Sequence, residues 1–258
     1  MDIIIQNVKA EVFTTLFQHI KLFTEHINLM FLEDKLFVQG MDSSRVSVFE
    51  IYLPNTWFDS YQLADGQLIL GIQAHILFRV LNTRDKTQDI QLHVDSAEDD
   101  NLSVSFASVQ KKNFDKHFQV PLMSIDSEML SIPEMESDAE FSIPSSKFAV
   151  LVDQLKLFGD TLEIQCTEEK ILMTASSLEH GKMTVEIPID DLTSFSITEG
   201  EQVNVAYSLS HLHNICAYSK ICTDTTVHLS ANFPVKLVYN VGLPDANIVF
   251  YLAPKLNE

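Results

Sequence analysis

Two histidines separated by one residue, His211 and His213, are residue types that could bind a metal ion. They lie in a stretch with helical spacing, and residues two apart on a helix point to different faces. A zinc site needs at least three protein ligands, and no third ligand is spaced for one. The sequence therefore predicts that the chain binds no metal and no other cofactor.

Residues for covalent or phosphate chemistry also lack the spacing that such chemistry requires. Cys166, Cys216 and Cys222 form neither a metal-ligand pattern nor an even disulfide set, which is typical of a reducing intracellular compartment. The seven glycines form no Gly-x-x-x-x-Gly-Lys loop for a phosphate. Ser, His and Asp residues are plentiful but unclustered, so a triad assembled in space stays open. We expect a non-enzymatic protein, with an unrecognised hydrolase as the alternative.

The sequence has no segment that targets a membrane. Its start, Met1-Asp-Ile-Ile-Ile, lacks the basic region of a signal peptide. Residues 202–219 carry no formal charge but are too rich in Asn, Ser and His to span a bilayer. We expect a soluble intracellular protein.

Charge is distributed unevenly along the chain. With 36 acidic and 17 basic residues, the net charge of −19 argues against non-specific affinity for nucleic acid or anionic lipid. Helical spacing of apolar residues predicts helices at 8–25, 72–82, 145–158 and 208–219. Only Glu11, Glu25 and Asp153 fall within them. The predicted strands and loops thus hold nearly all of the negative charge.

The predicted helices present a neutral-to-basic polar face. The apolar stripes of the first two turn six polar residues outward: Thr14, Gln18, Lys21, His75, Arg79 and Asn82. These are either ordinary solvated helix faces or one surface suited to a polyanion. The second interpretation predicts weak, salt-dependent and sequence-independent contact, because phosphate contacts carry no base information.

The second half of the chain repeats the first at a nearly constant offset. Four segments match in register: 21–23 with 156–158, 33–36 with 168–171, 48–51 with 184–187, and 92–94 with 227–229. Each half is predicted to contain two helices and roughly seven or eight short strands in the same order. We expect an α+β fold with two duplicated domains, each with two helices packed on antiparallel sheets.

An acid-rich stretch without helical or strand period separates the halves, and Pro133 interrupts it. Apolar residues such as Met123 and Ile125 recur through it, which indicates a linker held against a surface. The sequence predicts an N-terminal domain at 1–120, a connecting loop at 121–135 and a C-terminal domain at 136–258.

Three segments carry a family resemblance: Met41-Asp-Ser-Ser-Arg-Val-Ser-Val48, Leu130-Ser-Ile-Pro133 and Tyr251-Leu-Ala-Pro-Lys255. They resemble signature segments of the proliferating cell nuclear antigen (PCNA) family, the sliding clamps of eukaryotes and many large DNA viruses. Gly159-Asp160 and Cys166 also sit where the family has them, and the similarity runs from end to end. The resemblance implies a head-to-tail homotrimer in which six similar domains close a ring around duplex DNA, with helices lining the hole.

The resemblance also implies a function and partners. The chain would tether DNA polymerase and other replication and repair proteins to raise processivity, and a clamp loader would place it on DNA. It would act in the nucleus, or in a cytoplasmic replication compartment if viral. The alternative is a checkpoint-type clamp subunit or a viral late-transcription factor of the same fold. Such relatives commonly lose the connecting-loop and C-terminal signatures, both of which are present here.

Three sets of site residues follow from the resemblance. The DNA-facing set is Lys9, Gln18, Lys21, His75, Arg79, Lys147, Lys156, His213 and Lys220. The partner pocket, for peptides of the Gln-x-x-aliphatic-x-x-aromatic-aromatic type, is Met41, Arg45, Val46, Val48, Leu130, Ile132, Pro133, Pro234, Tyr251, Leu252, Ala253 and Pro254. The trimer interface pairs a strand near 111–118 with one near 178–187 and includes Lys111, Lys112, Lys116, Phe118, Glu179, Lys182 and Val185, with Glu186 adding negative charge.

The sequence departs from the family pattern in two places. Basic positions of the first and third helices fall at Thr14, Thr15, and near Val150 and Asp153, so we expect weaker DNA contact and a shallower salt dependence than in cellular clamps. The loop lysine used for ubiquitin-type modification falls at Glu168. Both departures favour a divergent or viral clamp.

Overall fold

The computed structural model describes residues 1–64, 66–96, 99–108, 114–126, 128–134, 136–231 and 233–255. The chain divides into two units. The first contains Met1–Ser43, Glu50–Met129 and Leu243–Asn247, and the second contains Ser44–Phe49, Leu130–Gly242 and Ile248–Glu258. Each unit therefore includes a short segment from the other half of the sequence.

In the described part of the first half there are two helices and nine strands. The helices are α1 (Asn7–Ile20) and α2 (Ala74–Leu81), and a single 3-10 turn covers Asn55–Trp57. The strands are β1 (Asp2–Ile5), β2 (His26–Leu32), β3 (Lys35–Met41), β4 (Ser47–Pro54), β5 (Ser60–Gln62), β6 (Gln67–Gln73), β7 (Asp89–His93), β8 (Asn101–Ala107) and β9 (Lys116–Pro121). Neighbouring strands pair in the orders β5-β1-β7-β8-β9 and β4-β3-β2-β6.

The described part of the second half also contains two helices and nine strands. Its helices are α3 (Ser145–Leu155) and α4 (Leu209–Ile215), with 3-10 segments at Ile189–Asp191 and Cys216–Lys220. Its strands are β10 (Ala139–Pro144), β11 (Thr161–Cys166), β12 (Lys170–Ser177), β13 (Gly181–Pro188), β14 (Ser194–Ile197), β15 (Val203–Ser208), β16 (Asp224–Leu229), β17 (Val235–Asn240) and β18 (Asn247–Leu252). Their orders are β14-β10-β16-β17-β18 and β13-β12-β11-β15.

The repeat and the α+β class predicted from the sequence are confirmed by this topology. Strand for strand, the two strand orders of the second half reproduce those of the first. The matched segments also occupy equivalent places: Lys21 and Lys156 are the C-cap residues of α1 and α3. Residues 33–36 and 168–171 lie at the β2–β3 and β11–β12 hairpins.

Several predicted element boundaries are wrong. The first helix ends at Ile20 rather than at residue 25, because the chain turns there: the amides of Leu22 and Phe23 bond the carbonyls of His19 and Ile20. In the part of the chain that the structure describes, each half has nine strands instead of seven or eight. The strand β1 was missed because Ile3, Ile4 and Ile5 show no alternation, although β1 lies between β5 and β7.

Helices α1 and α3 bury one apolar stripe each against the sheets of their own unit. In α1 the buried residues are Ala10, Phe13, Leu16, Phe17 and Ile20, and in α3 they are Ser145, Phe148, Val152 and Leu155. Burying a large apolar side chain stabilises a fold by about 1.5–3 kcal/mol, so these stripes fix the orientation of each helix. No helix within the described residues is long and apolar enough to cross a bilayer.

The first part of the linker is held against the first unit, as the sequence predicts. The Met123 amide donates to the Gly71 carbonyl at 3.0 Å, and Asn28 Nδ2 donates to the Ile125 carbonyl at 3.3 Å. A Cβ at Gly71 would collide with the Met123 carbonyl, and the Ile125 side chain lies next to it. Glycine at 71 therefore permits this close approach.

A histidine–carboxylate pair is repeated in the two halves. His93 lies opposite Asp2 in the β1–β7 register, and His228 lies opposite Glu140 in the β10–β16 register. His93 Nδ1 is 2.6 Å from Asp2 Oδ1, and its Nε2 is 2.8 Å from Asp95 Oδ1. Hydrogen bonds to these carboxylates raise the His93 pKa, whereas burial lowers the His228 pKa.

These shifts predict opposite pH effects on stability. The raised His93 pKa gives a stabilising contribution that is complete below the unfolded-state pKa of about 6.5 and is lost as pH rises through the folded pKa. Replacing His93 by asparagine should thus lower the urea midpoint more at pH 5.5 than at pH 8.5, measured at one protein concentration. The matched change His228→Asn should show the opposite trend, and the same trend in both variants would contradict the assignment.

Candidate nucleic-acid and protein-binding surfaces

The α1–α2 pair presents the polar face that the sequence predicts for the first unit. Lys21, His75, Arg79 and Asn82 are exposed, and Gln18 is half-buried. The Lys21 ammonium lies 5.2 Å from the Phe78 ring centroid, which holds a cation beside α2. Arg79 lies in the last turn of α2. This face therefore carries cations and no carboxylate in α2 itself.

Lys9 is less available than the sequence prediction assumed. Its ammonium donates to the Trp57 carbonyl at 2.6 Å and lies 5.7 Å from the Trp57 ring centroid. The side chain is half-buried. Lys9 therefore braces the turn at Asn55–Trp57, and contact with a ligand would first have to release it.

The α3–α4 pair forms the corresponding face of the second unit. Lys147, Lys156 and Lys220 are exposed. His213 is also exposed, but its Nδ1 lies 2.7 Å from Asp153 Oδ1, so the one acidic side chain of α3 occupies it. This face is therefore less cationic than its basic residues alone would indicate.

Negative charge is almost absent from the helices as the structure defines them. Of the 36 acidic residues of the chain, Glu11 and Asp153 lie in α1–α4. Glu25, predicted to be helical, lies beyond the end of α1. The segregation of charge is therefore sharper than the sequence predicts.

The side chains considered for metal or nucleophilic chemistry are engaged otherwise. His211 Nδ1 lies 2.9 Å from Ser208 Oγ and its Nε2 lies 3.2 Å from Ser44 Oγ, while His213 contacts Asp153. Burial raises the pKa of Cys166 to about 11 and that of Cys216 to about 12, so both thiols stay protonated at neutral pH. Both thiols are buried, which is typical of structural cysteines.

The second unit joins two of the predicted pocket segments by hydrogen bonds. The Ala253 amide donates to the Val46 carbonyl at 3.0 Å, and the Lys255 amide donates to the Ala206 carbonyl at 2.7 Å. Lys255 Nζ adds a bond to Thr161 Oγ1 at 2.7 Å. The C-terminal segment is thereby fixed in an extended form between residues 44–46 and β15.

Most of the predicted pocket residues in this unit are accessible to a ligand. Arg45, Leu130 and Pro133 are exposed, and a further set is half-buried: Val46, Val48, Ile132, Pro234, Tyr251, Ala253 and Pro254. Leu252 is fully buried, so its assignment to the pocket is wrong and it is a core residue. It alternates with its neighbours along β18, which directs its side chain inward. Met41 belongs to the first unit and is half-buried.

Each unit has a strand edge in the region predicted for subunit contact. Among the described residues, β9 pairs with β8 and β13 pairs with β12, and each lies at the end of its sheet. Phe118 is half-buried against Phe106, with ring centroids 5.5 Å apart. Lys182 and Glu179 are exposed and Val185 is half-buried, whereas Lys111 and Lys112 lie outside the described residues.

Charge complementarity between these edges, with lysines on the first and Glu179 and Glu186 on the second, stays a prediction, and two of its groups already have partners within their own units. Lys116 Nζ bonds Asp85 Oδ2 at 3.0 Å within its own unit. Glu186 Oε2 bonds Lys170 Nζ at 3.0 Å, again within one unit. Both groups already have partners, and exposed ion pairs of this kind contribute little.

An aromatic residue and a groove were missed by the sequence reasoning. Phe114, just before β9, has 92% of its surface exposed. In the second unit, a groove of about 420 Å³ lies between α3 and β13 and is lined by Ile143, Ser146, Lys147, Val150, Leu151, Glu186, Ile187 and Asp191. An exposed aromatic at the start of an edge strand was the available sequence signal, but the groove needs the fold.

Comparison with known proteins gives matches over nearly the whole length of the chain. The family models for the N-terminal and C-terminal domains of proliferating cell nuclear antigen match residues 4–129 and 131–256. Proliferating cell nuclear antigen of Saccharomyces cerevisiae is 25% identical over 255 residues, which cover 97% of this chain and 96% of the relative. A crystal structure of a PCNA2–PCNA3 complex from Sulfolobus tokodaii has the same fold, with a TM-score of 0.86, 23% identity and 99% of each chain covered.

The duplicated fold and its segregated charge define the class of DNA sliding clamps, which are processivity factors of DNA replication and not enzymes. The chain belongs to the proliferating cell nuclear antigen family. The recognition, the fold class and the absence of enzymatic function expected from the sequence are confirmed by this membership.

Proposed function

We propose that three copies of the chain close head to tail into a ring around duplex DNA and tether DNA polymerase to it. The observation that carries the proposal is a strand-edge contact inside the second unit. There, residue Ala253 directly after β18 bonds Val46 directly before β4. The repeat makes β9 equivalent to β18 and β13 equivalent to β4. Pairing β9 of one copy with β13 of the next would reproduce this contact, and a repeated head-to-tail contact closes a ring when its rotation permits.

An apolar contact would complete this subunit interface. Phe114 precedes β9 on one copy, and the groove lined by Ile143, Val150 and Leu151 adjoins β13 on the next. Val150 has 54% of its surface exposed, which a protein would normally cover. The contact depends on apolar burial and backbone hydrogen bonds, because Lys116 and Glu186 are engaged within their own units.

The helix faces are proposed to lie towards DNA. The set is Lys9, Gln18, Lys21, His75, Arg79, Lys147, Lys156, His213 and Lys220, with Lys9 and His213 restrained as described. A closed ring holds DNA by topology, so sparse cations suffice and permit sliding. Acidic residues on strands and loops would repel other duplexes.

The C-terminal segment, residues 44–48 and the linker are proposed to bind partner peptides of the Gln-x-x-aliphatic-x-x-aromatic-aromatic type. Their accessible apolar side chains, such as Leu130, Ile132 and Tyr251, would receive the peptide anchors. Because the Ala253 and Lys255 amides are occupied and Pro254 has none, this segment can offer carbonyl acceptors to the peptide. Such peptides would belong to the polymerase, the clamp loader and other replication or repair proteins.

We further propose that the domain limits are 1–120 and 136–258 with the connecting loop at 121–135. The protein would act in the nucleus, or in a cytoplasmic replication compartment if it is viral. Family membership, together with intact connecting-loop and C-terminal signatures, favours replication over checkpoint or late-transcription roles.

The ring predicts a molar mass by light scattering of about 88 kDa, three times the 29.2 kDa of one chain. Replacing Phe114 by alanine should weaken each contact about 10- to 100-fold, because a buried aromatic contributes about 1.5–3 kcal/mol. Phe233→Ala, a change at another partly exposed phenylalanine, is the matched control and should leave the mass unchanged. A wild-type mass of 29.2 kDa at every concentration would contradict the ring.

The pocket predicts that the double change Leu130→Ser, Ile132→Ser removes peptide binding. A synthetic Gln-x-x-Ile-x-x-Phe-Phe peptide would then have two fewer apolar side chains to pack against. Its affinity should fall at least about 100-fold by calorimetry, with the oligomer intact. Leu157→Ser changes another exposed leucine and should leave the peptide affinity as in the wild type. Unchanged affinity in the double variant would reject the pocket.

The sparse helix cations predict a shallow salt dependence of DNA contact. Fluorescence anisotropy with a labelled duplex should give a small slope of log affinity against log salt, at about 0.9 per phosphate contacted. Asp153→Asn removes the carboxylate that occupies His213, so it should tighten binding and steepen the slope.

Glu163→Gln makes the same charge change on the exposed face of β11 and serves as the control. An equal effect of both changes, or a steep slope in the wild type, would contradict the proposed DNA-facing surface.

A further inference from the structure

A loop outside the proposed interface holds the backbone of Phe114. Residues 82–88 follow α2, and within them the side chain of Gln88 is fully buried. Its Nε2 donates to the Phe114 carbonyl at 2.9 Å and to the Phe106 carbonyl at 3.4 Å. Its Oε1 accepts from the Asp85 amide at 3.1 Å. One buried amide thus joins the loop, the strand β8 and the residue that precedes β9.

The loop is braced by two cationic side chains. Arg84 Nη1 donates to the Asp85 carbonyl at 3.0 Å and to the Gln88 carbonyl at 2.8 Å. Lys116, in the first position of β9, donates to the Thr83 carbonyl at 2.5 Å and to Asp85 Oδ2 at 3.0 Å. The loop is therefore hydrogen-bonded to the start of β9 at two points, the Phe114 carbonyl and the Lys116 ammonium.

This arrangement fixes the main chain of Phe114 while its ring stays free. Phe114 has 92% of its surface exposed, so packing of its side chain contributes little to its position. A side chain whose backbone is already placed loses less conformational freedom on association than one on a mobile segment. A buried amide also binds in a fixed geometry, because its hydrogen bonds have no competing water.

We propose that Gln88 is a positioning residue for subunit association, holding Phe114 in the place from which it enters the groove of the next copy. The inference rests on the proposed ring. By this inference, a buried residue outside the contact surface contributes to the strength of subunit association. It also links the loop at residues 82–88, which follows α2, to the edge strand β9.

A double-mutant cycle on the association constant tests this role. Gln88→Met keeps the side-chain length but removes the amide, and it should weaken association about 10-fold as measured by sedimentation equilibrium. In the Phe114→Ala background the same change should have almost no further effect. Gln91→Met, in β7 with an exposed side chain, is the matched control and should associate like the wild type.

Each outcome has a defined meaning. A decrease of equal size in both backgrounds would mean that Gln88 acts on the fold in general and would overturn the proposal, as would no decrease at all. If Gln88→Met fails to fold, Gln88→Asn carries the same cycle, because it keeps a polar amide at this position but is one methylene shorter and so loses the bond to the Phe114 carbonyl. A monomeric wild type would reject the ring as well as this role, whereas an intact ring with an additive cycle would reject this role alone.

Discussion

The unpaired edge of a β-sheet is the constraint on which the rest of this structure depends. An edge strand presents a row of amide and carbonyl groups that another strand can pair, and proteins must cover or use it. In the described residues, the five-stranded sheet of the first half ends at β9, and the four-stranded sheet of the second half ends at β13. Because the halves are copies, a contact that suits one pair of edges also suits its equivalent. In a duplicated domain, the strand pairing that joins the two halves can therefore be repeated between copies of the chain. Repeating it head to tail gives the proposed ring.

Enclosure of DNA by the proposed ring accounts for the separation of acidic residues from the helices. Among the described residues, α1–α4 contain Glu11 and Asp153 as their acidic residues and carry mostly neutral and basic polar groups, whereas the acid-rich surfaces outside these helices repel polyanions. A protein that bound DNA tightly at these helices could not slide, and one without cations would gain nothing from facing DNA. The pair between His213 and Asp153 and the contacts of Lys9 with Trp57 weaken the cationic face further. The geometry suits retention by enclosure rather than by affinity.

The sequence predicted well those features that repeat or are periodic, and poorly those that depend on distant packing. The four helices and the duplication follow from apolar spacing and matched segments. The strand β1 shows no alternation in sequence, because Ile4 on its half-buried face is as apolar as Ile3 and Ile5 on its buried face. Leu252 belongs to a signature segment, yet it points into the core, and only the strand register separates it from its accessible neighbours.

Lys116 and Glu186 have the charges expected of an interface, but partners far away in sequence, Asp85 and Lys170, already occupy them. No sequence pattern reports a groove built by α3 and β13, or an amide such as that of Gln88 that reaches Phe114.

These distant contacts give the two proposed interactions different responses to salt. Contact with DNA depends on cations that displace counterions, so it weakens as ionic strength rises. Subunit contact depends on the Phe114 ring, the apolar part of the groove and backbone pairing, which screening of charge scarcely affects. The amide of Gln88 is buried and neutral, so the positioning of Phe114 is equally insensitive to salt. A ring of this design stays closed under conditions in which its direct grip on DNA is gone, and a closed ring without grip is free to slide. In the proposed ring, the buried amide of Gln88 thus helps to keep the subunits together, and the sparse surface cations allow the ring to slide along DNA.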